Sequence, residues 1–207
     1  MAMGRPREFD VDKALDLALQ VFWSKGYEGA SMADLTEAMG ITKPSLYAAF
    51  GNKEELFHKA LDRYVDGPGG YVQVALAMPT IRAVIEHLLY EAADAVTDPD
   101  HPPGCLAVQG ALCCGDAAES IKQELMSRRA TGEEDLRKRF ERAIAEGDLP
   151  EGSDAADLAR YISAILQGMA VQAAGGTTRE QLRKIAEMTL RTWPPPASAA
   201  ATAAPTD

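Results

Sequence analysis

The stretch ITKPSLYAAFGNKEELF, Ile41 to Phe57, holds two helix starts in one short window. Thr42 is a capping residue, and Pro44 follows in the first turn, where a missing N–H costs nothing. Lys43 to Phe50 therefore reads as a helix, ended by Gly51. Asn52-Lys53-Glu54-Glu55 repeats the cap-plus-acid pattern and opens another helix that runs to Asp66.

The residues before this window prepare it. From Phe9 to Lys25, Val11, Ala14, Leu15, Ala18, Val21 and Phe22 follow the helical i, i+3, i+4, i+7 pattern, and Gly26 stops the run. Ser31 caps a short helix with Asp34 in its first turn, for which Ala33, Leu35 and Met39 supply an apolar face before Gly40. Two short helices joined by Met39-Gly40-Ile41-Thr42 and braced by a longer one make a helix-turn-helix. Ile41, Leu46 and Phe50 point into the bundle, so Thr42, Lys43, Ser45 and Tyr47 face outward as hydrogen-bonding or cationic groups. Such a helix fits its N-terminal turns into a major groove about 12 Å wide. Ser31 and Lys53 sit at helix N-termini, whose free N–H groups suit phosphate, and Arg5 and Arg7 form an arm able to reach phosphate or minor groove.

The run ALDLALQVFWSKGYEGASMADLTEAMGITKPSLYAAFGNKEELF, within Gly4 to Phe57, resembles the N-terminal domain of the TetR family of bacterial transcriptional repressors. The resemblance implies an all-α homodimer: a three-helix helix-turn-helix domain joined to a helical ligand-binding and dimerisation domain. It implies a repressor that binds double-stranded operator DNA and leaves it when a small-molecule effector binds. On the matching positions it makes Ser31, Tyr47 and Lys53 phosphate contacts and Thr42, Lys43 and Ser45 base readers.

Charge agrees only locally. The net charge of −10 over 207 residues argues against a surface that is basic throughout. Residues 1–53 hold six Lys/Arg against seven Asp/Glu, so nearly all of the excess acid lies further on. At physiological salt a partner within roughly 10 Å feels the local charges most. No apolar run is long enough to span a membrane and MAMGRPREFD has no secretory h-region, so the expected location is the cytoplasm.

Gly67-Pro68-Gly69-Gly70 marks the boundary between a DNA-binding unit, 1–66, and a sensing and dimerisation unit, 67–193; the tail, 194–207, lacks apolar periodicity and reads as disordered. Helices are expected over Thr80–Thr97, Gly104–Gly115, Ala117–Glu146, Asp154–Ala174 and Thr178–Trp193. The last two, with Leu158, Ile162, Ile165, Leu166 and Met169, then Leu182, Ile185 and Leu190, are either core or a dimer face, and the dimer is the favoured reading. Candidate effector contacts are Leu88, Leu89, Cys105, Met126, Phe140 and Met169, all equally able to be packed core. Cys105 follows Pro102-Pro103-Gly104 at a helix start, in a loop expected to reach solvent, so thiol sensing is an alternative to ligand sensing. Cys113 and Cys114 are vicinal on a helix and point about 100° apart, which disfavours a disulfide between them. No Cys/His spacing of a metal site, no cofactor loop and no Ser/His/Asp order is present, so no metal, no cofactor and no enzyme is expected.

Overall fold

The computed structural model describes residues 9–112 and 118–194. Arg5, Arg7, Cys113, Cys114 and all of the tail after Pro194 lie outside the described residues. Every regular element among those described is helical: α1 Val11–Gly29, α2 Met32–Met39, α3 Lys43–Phe50, α4 Lys53–Asp66, α5 Tyr71–Leu76, α6 Ile81–Ala95, α7 Leu106–Leu112, α8 Glu119–Ala145, α9 Ala155–Ala174 and α10 Arg179–Arg191.

Local chemistry starts most of these helices. Asp10, Ser31, Thr42, Asn52, Thr80, Asp154 and Thr178 each accept a backbone N–H of the first turn through their side chains. At Ser31, Asn52 and Thr178 the residue three places on returns the bond, completing a capping box. Three of these elements depart from the sequence expectation. Gly26, at φ 70° and ψ 173°, breaks α1 as expected, but the chain then makes one further turn to Gly29. Ala33 is exposed, because on a two-turn helix it lies about 200° round from Leu35 and so faces away from the stripe of Leu35 and Met39. The short α5 has no side-chain cap and too few residues to show a period, and it follows directly on the Gly67–Gly70 turn.

The helices close two apolar cores. One gathers Leu19, Phe22, Trp23, Leu35, Leu46, Phe50, Leu56, Phe57 and Leu61 from α1–α4. The other is built from α5, α6 and α8–α10 around Ile85, Leu88, Leu89, Phe140, Ile162, Met169 and Leu182. The turn at Gly67–Gly70 does not divide them cleanly. Leu106 of α7 and Ala118, Ile121 and Leu125 at the start of α8 complete the first core, and Cys105 packs against both.

Three further ties cross between the halves. Arg128 of α8 donates to Asp62 of α4 at 2.6 Å. Gln20 of α1 bonds the His101 ring at 3.1 Å, and that ring stacks on Trp23 at 5.4 Å. Tyr64 of α4 donates to the Cys105 sulfur at 3.1 Å. The exposed ion pair contributes at most about 1 kcal/mol, so the shared apolar residues dominate the coupling.

Candidate nucleic-acid interface and adjoining cavity

Positioning of α3 begins with Gly40, whose left-handed φ of 65° ends α2. Its N–H bonds Glu37 and Thr36 carbonyls, and the Ile41 N–H bonds Thr36 at 3.1 Å. The chain then enters α3 through the Thr42 cap. At the far end Gly51 adopts φ 82°, and a Cβ there would overlap the Glu55 carboxylate that completes the α4 capping box. Lys59 reaches back to the Phe50 carbonyl at 3.3 Å, so α3 is pinned at both ends.

Thr42, Lys43 and Tyr47 are exposed on one side of α3, Tyr47 by 46%, while Leu46 and Phe50 are buried on the other. Ser45 is half-buried on the outward side, and its hydroxyl lies 2.9 Å from that of Thr42. Because the Thr42 hydroxyl also accepts the Ser45 N–H, these two hydroxyls are already engaged in the cap. The Lys43 ammonium lies 5.9 Å from the Tyr47 ring centre and is otherwise presented to solvent. Arg5 and Arg7, the expected arm, lie outside the described residues.

Helix-start N–H donors flank α3. At α2 the capping box uses the N–H groups of Ser31 and Asp34, leaving those of Met32 and Ala33 as the unbonded donors of a helix start. At α4 the box uses Asn52 and Glu55 and leaves Lys53 and Glu54 in the same position. Lys53 adds its ammonium, which rests 4.4 Å above the Tyr27 ring. Burial pushes the Lys53 pKa down, opposed by the nearby Glu28 carboxylate. Tyr27 is seated by Phe57 at 5.3 Å and Phe22 at 6.3 Å, so an aromatic cluster of the core fixes the height of that cation.

Asp34 holds the α2 start from both sides. The Lys25 ammonium, bonding at 2.5 Å, and then the Ser31 hydroxyl hold its carboxyl well below the usual carboxylate range. A depressed folded pKa stabilises above the unfolded value, about 3.9, and the benefit is lost as pH falls through the folded one. Asp34→Asn should therefore lower the thermal midpoint at neutral pH, and the gap to wild type should shrink as pH falls below about 4. A gap that stays constant over that range, followed by circular dichroism, would contradict the pairing.

Beside this unit lies a cavity of about 330 Å³ among α4, α5, α7 and α8. Tyr64 and Val65 of α4, Tyr71 and Val72 of α5, Cys105 and Ala107 line one part, and Arg128, Arg129, Thr131 and Asp135 of α8 another. The wall that belongs to α4 is the far end of the helix whose first residue is Lys53. Tyr64 also meets Trp23 of α1 edge-on at 4.8 Å.

The family profile described as bacterial regulatory proteins, tetR family, matches residues 14–60, and that of the tetracyclin repressor-like C-terminal domain matches residues 77–192. The chain belongs to the TetR family. It is a DNA-binding transcriptional regulator with an all-helical fold. The chain is 37% identical over 193 residues to the HTH-type transcriptional repressor ComR of Escherichia coli (strain K12), covering 92% of each chain. It is 30% identical over 193 residues to the repressor BdcR of the same strain, covering 89% of each. Among solved structures, a cysteine mutant of the TetR family transcriptional regulator CifR, complexed with 26-bp double-strand operator DNA, matches with TM-score 0.87 and 43% identity, covering 92% of this chain and 100% of that one.

In this TetR-family regulator only Cys105 of the six expected effector contacts lines the cavity. Leu88, Leu89, Phe140 and Met169 are packed into the second core, and Met126 is 45% exposed on α8. Apolar periodicity marks residues that face a core; it does not tell a filled core from an unfilled one. Tyr71 and Val72 of α5, Ala107 of α7 and Arg128, Arg129 and Asp135 of α8 are among the lining residues that sequence reasoning missed, since they are brought together from helices that are separate in the chain. Cys105 stands immediately before α7, half-buried, and its sulfur accepts the Tyr64 hydroxyl. Among the described residues no helix is long and apolar enough to cross a membrane, and no cluster of His, Cys, Asp or Glu is arranged to hold a metal ion.

Proposed function

We propose that this TetR-family regulator is a repressor that grips a near-palindromic operator as a homodimer and lets go when a small molecule occupies the cavity beside α4. In this division residues 1–66 read DNA and residues 67–193 sense and dimerise. The observation that carries the reading is α4 itself. Its first residue, Lys53, stands at the helix start next to α3, and its last turns, Tyr64 and Val65, wall the cavity, about 17 Å away along one helix. An effector acts by binding one placement of α4 better than the other, which changes the spacing of the two reading heads.

The repressor names of ComR and BdcR and the operator complex of CifR support this reading. For the dimer, α9 and α10 offer Val171 at 48% and Met188 at 60% exposure, with Ile165, Leu166 and Ile185 half-covered beside them. Lys43 carries the reading and Ser31, Tyr47 and Lys53 the clamping, while Thr42 and Ser45, whose hydroxyls are engaged in the cap, chiefly shape the helix start. A protein working on the chromosome in this way acts in the cytoplasm. The bond from Tyr64 favours a packing role for Cys105 over thiol sensing.

Gel retardation on the chain's own upstream region and on random fragments tests the proposal. Specific retardation, with protected half-sites about 34 Å apart or somewhat more, is expected. Equal affinity for all sequences at physiological salt refutes operator recognition, and reporter expression that falls when the protein is deleted refutes repression.

A further inference from the structure

The cavity's lining states what it can hold. Apart from its polar rim it is walled by Val65, Val72, Ala107 and the side chains of Tyr64 and Tyr71. Both arginines on it are already engaged. Arg128 is held by Glu124 and Asp62, both at 2.6 Å, and Arg129 donates to the Ala107 carbonyl at 2.8 Å. Asp135 brings a carboxylate to the same space. An anion placed here meets Asp135 and a cation meets Arg129, and either gives up its hydration for a compromised partner.

Neutral donors are better supplied. Tyr64 donates only to a sulfur, a weak acceptor that yields readily to an oxygen. Tyr71 lies beside Cys105, and its hydroxyl bonds no group among the described residues. Burial first, and Cys105 second, push both phenols above their ordinary range, so each remains a protonated donor.

We propose that the cavity binds an uncharged, mainly aliphatic molecule bearing one carbonyl or ether oxygen, which accepts hydrogen bonds from Tyr64 and Tyr71 while its chain lies along Val65, Val72 and Ala107. This rests on the effector reading above and names the class of effector. Drawing the Tyr64 hydroxyl away from Cys105 moves a ring that packs edge-on against Trp23 of α1, which gives the ligand a route to the reading unit.

The test is calorimetric titration of the full-length protein, without DNA, with methyl hexyl ketone, dibutyl ether, octanoate and octylamine. The ketone or the ether should bind at least about tenfold more tightly than the two charged probes, the equivalent of roughly one lost hydrogen bond. Tyr71→Phe, which keeps the ring and hence the fold, should weaken the ketone by about fivefold to tenfold, and Tyr64→Phe by a similar factor. Octanoate or octylamine binding as tightly as the ketone overturns the proposal. So do wild-type affinities in both tyrosine variants, or no binding of either uncharged probe. Operator release is measured separately by gel retardation: binding of the ketone without release upholds the ligand class and overturns the effector reading.

Discussion

Phe22→Ala should melt the DNA-reading unit well before the core around Leu88 and Phe140, and operator binding should vanish with it. Phe22 is fully buried and meets Phe57 edge-on at 5.0 Å, so its removal leaves a cavity that the neighbouring helices cannot close. The cost is about 3–5 kcal/mol, a third or more of what a single unit of this size has to lose. The consequence reaches the interface by a short route. Phe22 and Phe57 seat Tyr27, and Tyr27 carries the Lys53 ammonium. Because Leu106, Ile121 and Leu125 complete the same core, the melt should also loosen the cavity wall and weaken ligand binding. Differential scanning calorimetry should resolve two transitions in the variant, the lower one coinciding with loss of gel retardation. A single transition at the wild-type temperature would show that the aromatic cluster contributes little.

Lys43→Ala and Lys53→Ala should weaken operator binding in different ways. Lys53 sits at the start of α4 beside two unbonded N–H groups, a place suited to phosphate, so its loss should lower affinity for every sequence alike. The slope of log affinity against log salt should flatten by about one unit, one phosphate contact fewer. Lys43 projects from the exposed first turn of α3, where an ammonium that reaches a guanine edge contributes about 1–3 kcal/mol of discrimination at that base pair. Selection from a randomised operator pool should therefore return a relaxed position for Lys43→Ala and an unchanged profile for Lys53→Ala. Identical profiles for wild type and Lys43→Ala would make Lys43 a second clamp.

Ser31, Thr42, Asn52, Asp154 and Thr178 each bond a backbone N–H two or three residues on, and this is why the sequence alone placed these helix starts, while the spacing of Leu46 and Phe50 placed the outward face of α3. Both partners of such bonds lie within one turn of chain, so no distant residue is needed to decide them. A period needs length, and α5 with its six residues had none to offer. Tertiary structure alone decided how the two cores are shared and where the cavity lies. Leu106, Ile121 and Leu125 look like any apolar stripe in sequence, yet they pack with α1–α4 across the Gly67–Gly70 turn. Leu88, Leu89, Phe140 and Met169 satisfy the pattern of a pocket wall as well as Tyr64 and Tyr71 do, but their side chains fill the space between their helices. A cavity is what remains where four helices from distant parts of the chain fail to close on one another, and that depends on how the helices are placed as well as on which side chains they carry.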